Sequence, residues 1–185
     1  MSASTVDELL AAIASLSEDE RRELFARLGA VPMPGRAGQA ALFGEFAADT
    51  LVGAADYVIV FDGGSKGNPG RGYGSYAIMV QDKREIKRLK FGDDMTNNEA
   101  EYATLMHALD EVQGRIERAS RLTEEFSIEV RGDSALVLKQ ISGEWKAKDE
   151  RMRLMRDSVR RSLRRFKANR LTAQPREETV RLLGH

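Results

Sequence analysis

The chain has 185 residues, 42% hydrophobic and 31% charged, which excludes wholesale disorder and gives one ordinary domain with room for a small appendage. No apolar run reaches the length of a membrane span, and the N-terminus lacks the basic region of a signal peptide, so no membrane association is expected. Cysteine is absent; that removes disulfides and thiolate–metal sites and points to a cytoplasmic location.

The formal net charge of zero hides a strong segregation. Residues 1–50 hold four Arg against eight Asp and Glu. Within them, Val6, Leu9, Leu10 and Ile13 fall at helical spacing, and Ser17-Glu18-Asp19-Glu20 is a capping box opening a second helix through Leu24, Phe25 and Leu28. Residues 1–30 are therefore expected to form a helical hairpin. A unit that short buries little core by itself, so it is read as a module for a protein partner or for self-association. Pro32, Pro34, Gly35 and Gly38 punctuate the stretch that follows, and 31–55 is read as a linker.

From Asp56 to the end, 56–185, the pattern is that of an α/β domain. Tyr57 to Phe61 is an unbroken apolar, β-branched and aromatic run, the mark of a strand buried on both faces. Asp62 is expected to end it and to deliver a carboxylate into a loop holding Gly63, Gly64, Gly67, Gly70, Gly72 and Gly74, whose backbone can approach a ligand closely. That loop lacks the spacing of a P-loop, and taken alone it also fits a plain hairpin connection. Tyr73 to Gln81 and Glu85 to Phe91 read as two further strands, making an antiparallel meander. Thr96-Asn97-Asn98-Glu99 is a second capping box, and the helix it opens carries Glu101 one turn before Leu105, on the inward stripe where an acid is costly unless compensated.

Phe126 to Arg131 reads as a strand, with Asp133 and Ser134 just past its C-terminal end, where open α/β sheets build their sites. Ser134 to Ile141 and Asp149 to Phe166 are expected helices, Asn169 to Gln174 a last strand, and Glu177 to His185 a terminal helical turn or two. Residues 139–170 carry twelve Lys and Arg against four acids, the footprint of a polyanion-binding surface. Lys146, Lys148 and the row Arg151, Arg153, Arg156, Arg160 and Arg164 offer phosphate contacts, and Trp145 either a sugar-packing surface or a piece of core.

Taken in order, FDGGSKGNPGRGYG, TNNEAEYATL, RGDS and SGEWKAKDERM resemble the type 1 ribonucleases H, particularly their compact, reverse-transcriptase-associated branch. The resemblance covers Tyr57 to about Glu178. It implies a ribonuclease H-like fold, a mixed five-stranded sheet flanked by helices, and cleavage of the RNA strand of RNA·DNA hybrids with two Mg²⁺ or Mn²⁺ ions per site. Asp62, Glu101 and Asp133 match three of the family's four acidic metal ligands, and Asn68, Asn97 and Asn98 match its hybrid-contacting asparagines. Gly63, Gly64, Ser134, Trp145, Lys146 and Lys148 complete the expected substrate contacts. Chemistry agrees with the match: clustered carboxylates suit hard divalent cations, two such ions assist phosphodiester hydrolysis, and asparagine amides read the 2′-OH as donor and acceptor.

Two departures stand out. The basic handle that many relatives insert among the later helices is missing, and where the fourth acid belongs this chain has Leu183, with no acid after Glu178. His185 is the remaining candidate ligand there. Two other readings keep the same fold: a hybrid-binding scaffold with weakened turnover, and a nuclease acting on DNA. The three acids favour the enzyme over the scaffold, and the asparagine pair favours hybrid over DNA.

Overall fold

A computed structural model describes residues 46 and 48–184. The expected helical hairpin at 1–30, most of the expected linker and His185 lie outside the described residues.

Five strands form one mixed sheet: β1 (Tyr57–Gly67), β2 (Gly70–Val80), β3 (Lys83–Lys90), β4 (Ser127–Gly132) and β5 (Ala168–Ala173). Their order is β3-β2-β1-β4-β5, with β1 to β3 an antiparallel meander and β4 and β5 parallel to β1 and to each other. The helices are α1 (Asn97–Arg118), α2 (Ala135–Ser142), α3 (Glu150–Arg164) and α4 (Arg176–Leu183). Side chains alternate across each strand. Ile59, Phe61, Tyr76 and Ile78 point into the main core with Tyr102, Leu105, Leu109 and Val112 of α1. Val60 and Ala77 point the other way, under Leu183 of α4.

Strand β1 does not stop at Asp62. It runs five residues further, and the glycine-rich segment is itself paired, with Gly63 opposite Gly74, Ser65 opposite Gly72 and Gly67 opposite Gly70. Glycine has poor strand propensity, which hides this ladder from a sequence reading, yet the close packing requires it. A Cβ on Gly63 would stand 2.6 Å from the Ala100 carbonyl and the Glu101 nitrogen. The first turn of α1 therefore rests directly on the backbone of β1, beside Asp62.

Helix ends follow local rules. Thr96 and Glu99 form the expected capping box, the Thr96 hydroxyl accepting from Glu99 N at 3.2 Å and the Glu99 carboxylate accepting from Thr96 N at 2.8 Å. Ser134 and Asp149 cap α2 and α3. The C-terminal end of α2 closes on Gly143 in the left-handed region, and Arg160 of α3 donates to the Ile141 and Gln140 carbonyls at 2.8 and 3.1 Å. This guanidinium satisfies carbonyls that a helix end leaves without partners.

Residues 48–55, which the sequence places in a linker, and Asp56 after them run beside β5 and β4. Leu51 N donates to the Asn169 carbonyl at 3.1 Å, the Thr50 hydroxyl accepts from Asn169 N at 3.0 Å, and the Asp49 carboxylate accepts from Leu171 N at 2.8 Å. Asp56 accepts from both N and Oγ of Ser127 at 2.8 and 2.6 Å. The strap thus occupies polar groups that an open sheet edge would expose. No helix among the described residues is long and apolar enough to cross a membrane.

Candidate active site and nucleic-acid groove

The chain delivers three acids to one end of the sheet. Strands β1 and β4 are parallel neighbours with Val60 opposite Arg131, so the same offset brings Asp62 level with Asp133, roughly one strand spacing of ~4.8 Å away. Glu101 reaches the place from α1, its own backbone nitrogen lying against Gly63. Asp62 is 9% exposed.

The electrostatics register this proximity. The Glu101 carboxyl is pushed up to about 7, chiefly by burial and further by the negative charges of Asp62 and Asp133, against the pull of Ser134 and Arg176. The Ser134 hydroxyl donates to Glu101 Oε2 at 2.6 Å. Asp133 is paired with Arg176 Nη1 at 3.2 Å. As placed, no three His, Cys, Asp or Glu side chains among the described residues close into a ready cation cage. The donor set nevertheless fits a divalent cation in its chemistry: three carboxylates from separate elements, one of them raised to about 7 by desolvation and by its two acidic neighbours.

Two adjoining clefts open at the first turn of α1, the helix that also carries Glu101. One, of about 480 Å³, is lined by Asn68, Thr96, Asn97, Asn98, Glu99 and Arg151 among others. The second, of about 540 Å³, is lined by Leu136, Gln140, Trp145, Lys146 and Lys148, and shares Asn98, Asp149 and Met152 with the first. Trp145 is 47% exposed, with Lys139 Nζ 5.1 Å from its ring, so it is a wall of the groove rather than core. Asn97 and Asn68 are already partly engaged: Asn97 Oδ1 accepts from Ser65 N at 2.8 Å, and Asn68 Oδ1 accepts from Asn97 N at 3.2 Å. These bonds stitch the β1–β2 hairpin to the start of α1, leaving the amide NH₂ groups as donors toward a ligand.

The profile of the family described as "Reverse transcriptase-like" matches residues 61–180, well over half of the chain. The chain belongs to that family, within the ribonucleases H. Ribonuclease HI of Halobacterium salinarum is 36% identical over 124 residues, 65% of this chain and 57% of that protein; the chain thus spans little more than half of this relative. The crystal structure of ribonuclease H1 from the same archaeon superposes with a TM-score of 0.59 at 33% identity, covering 68% of this chain and 89% of that one. LC11 ribonuclease H1, solved in complex with an RNA/DNA hybrid, superposes at 0.59 and 26% identity, over 68% and 89%. The mixed five-stranded sheet is the ribonuclease H fold.

Within that fold, two features of the site escaped the sequence reading. Ser134, expected to touch substrate, is bonded to Glu101. Arg176, part of a Pro-Arg-Glu stretch shared with the family but given no role in the site, sits on Asp133, at the first position of the last helix. Leu183 is fully buried among Val60 and Ala77, so its place in this ribonuclease H domain is in apolar packing.

Proposed function

We propose that this protein hydrolyses the RNA strand of RNA·DNA hybrids with Mg²⁺ or Mn²⁺, held by Asp62, Glu101 and Asp133. The observation that carries this reading is the half-buried Glu101, shifted to about 7 beside two further acids, on the helix whose first turn lines an asparagine-walled groove. A bound divalent ion would supply Lewis acidity toward the phosphodiester and lower the pKa of an attacking water. The chain's own residues do the rest. Ser134 orients Glu101, and Arg176 steadies Asp133 while adding positive charge beside the reacting phosphate. Asn68, Asn97 and Asn98 present amide groups suited to a ribose 2′-OH, and the LC11 relative solved with a hybrid supports that substrate. Lys146, Lys148 and Trp145 line the continuation of the groove for phosphate and sugar contact.

Residues 56–185 carry this activity in our reading, and 1–30 act as a module for a protein partner or a second copy. The buried Leu183 in place of a fourth acid favours one alternative, a hybrid-binding protein with weak turnover.

A gel assay of end-labelled hybrid, duplex DNA and duplex RNA with Mg²⁺ and with Mn²⁺ separates these readings. Cleavage confined to the RNA of the hybrid, lost in Asp62→Asn while hybrid binding persists, is the expected result. Tight hybrid binding without cleavage in either metal makes it the scaffold; cleavage of duplex DNA overturns the substrate assignment.

A further inference from the structure

The sheet face that carries Asp62 continues into a patch of exposed basic and aromatic side chains. Alternation along the strands lays Asp62, Gly64 and Lys66 of β1 beside Ser75, Tyr73 and Arg71 of β2, and Arg88 and Lys90 of β3 extend the rows of Ser75 and Tyr73. All share the side of Val60 and Ala77, the side that α4 covers, opposite α1. Tyr73 is 46% exposed. Its ring lies across Gly64, where a Cβ would stand 2.7 Å from the phenol oxygen, so the glycine lets the aromatic lie flat beside the strand bearing Asp62. Lys66, Arg71, Arg88 and Lys90 are exposed. Asp93 offsets Arg71 at 2.9 Å, and Arg88 donates to the Gly184 carbonyl at 3.2 Å. Lys66 and Lys90 have no ion pair among the described residues.

Lysines on an edge strand can serve simply to discourage pairing with another sheet. That explanation covers Lys90 on β3; Lys66 stands at the tip of the β1–β2 hairpin, beyond the β1–β4 pairing, and the exposed Tyr73 between them has no part in discouraging strand pairing.

We infer that this face is a second nucleic-acid surface, over which the strand held at Asp62 continues after leaving the asparagine-lined groove. Lys66, Arg88 and Lys90 meet its phosphates, and Tyr73 packs against a sugar or base. The inference rests on the hybrid-nuclease reading above and extends its footprint. Lys90 lies two strands across and two residues along from Asp62, about 12 Å on the diagonal. At ~3.4 Å of rise per nucleotide, that is contact roughly three to four nucleotides from the reacting phosphate.

The test uses the full chain and hybrids in which a short ribonucleotide block fixes the cut, with flanks lengthened one nucleotide at a time on either side. For Lys66→Gln/Lys90→Gln, kcat/KM should match the parent on short flanks. It should fall roughly three- to tenfold, the size of two exposed charge contacts, once one particular flank exceeds about four nucleotides. The salt dependence of KM on long flanks should drop by about 1.5 in log–log slope. No penalty at any length, or an equal penalty at all lengths on both sides, overturns the inference. Fluorescence anisotropy of the same duplexes with the parent and the Lys66→Gln/Lys90→Gln double variant, each in an Asp62→Asn background, reads the surface without turnover. A parent that cleaves nothing would thus sink the nuclease reading while the binding arm still decides this face.

Discussion

The Ser134 hydroxyl donates to Glu101 Oε2 at 2.6 Å while the same oxygen accepts from Val137 N at 3.4 Å, capping α2. One side chain thus joins the helix bearing Glu101 to the helix that starts after Asp133. Its donation favours the ionised form of Glu101, opposing the burial that raises its pKa. Ser134→Ala should therefore move the acid limb of the activity profile to higher pH and weaken divalent-ion binding more at pH 6.5 than at pH 8.5. The lost cap adds roughly 1 kcal/mol of destabilisation. A pH–rate profile unmoved by Ser134→Ala would make the hydroxyl merely a cap.

Glu101 also ties stability to pH. Unfolded, it ionises near its ordinary 4.5; folded, it keeps its proton up to about 7. Below about 4.5 both states are protonated and the group contributes nothing. As pH rises through the window, the folded state binds more protons than the unfolded one, so stability falls, by on the order of 2–3 kcal/mol when the window has been crossed. Glu101→Gln should melt with the parent near pH 4.5 and several degrees above it at pH 8 without metal. Saturating Mg²⁺ should raise the parent's melting temperature at pH 8 and leave Glu101→Gln much less changed. Parallel melting curves across this range would remove the buried-charge account.

Arg176 is 71% exposed and its pair with Asp133 spans 3.2 Å, so losing it should cost under ~1 kcal/mol of stability. Its effect on the site should be two-sided. Arg176→Ala frees Asp133 for a cation, tightening metal binding measured by calorimetry, and removes a positive charge from the path of the phosphate, raising KM for hybrid. Metal and substrate affinities that shift in the same direction would contradict this assignment.

The strap along β5 predicts where the chain tolerates shortening. A protein beginning at Phe46 keeps Asp49, Thr50 and Leu51 on the β5 edge and should melt with a cooperative transition and cleave hybrid. One beginning at Tyr57 loses all of these and Asp56, whose carboxylate accepts two bonds from Ser127. It should melt lower by several degrees and self-associate through the uncovered edge, a result that light scattering would show. Equal melting of the two would mean that the strap adds nothing.

What was legible in the sequence was local or periodic. The Thr96–Glu99 box shows because both partners lie within one turn, and β1, β4 and α1 show because their apolar patterns have clean periods. The full length of β1 was hidden by glycines chosen for close approach rather than for strand propensity. The strap was hidden because its partners lie about 120 positions away, as with Thr50 and Asn169. The same holds at the site: three acids at strand and helix ends stand out one by one, but the bonds from Ser134 to Glu101 and from Arg176 to Asp133 join residues 33 and 43 positions apart. No spacing rule announces such pairs.

Position 183 offers the last prediction, because family resemblance and packing pull it in opposite directions. The resemblance puts a fourth acid there, whereas the structure fills the place with a fully buried leucine against Val60 and Ala77. Leu183→Asp would trade apolar burial for a carboxylate without a partner, a loss of several kcal/mol. We expect it to lower the melting temperature by ten degrees or more and to give no gain in Mg²⁺-supported cleavage. His185, two residues on, is the side chain we propose to take part instead. Imidazole suits transition ions better than Mg²⁺, so His185→Ala should lower Mn²⁺-supported cleavage markedly, and His185→Asp should retain activity and improve the use of Mg²⁺. If Leu183→Asp is stable and more active in Mg²⁺, position 183 is a ligand position after all; if His185→Ala leaves rate and metal preference unchanged, Asp62, Glu101 and Asp133 suffice without it.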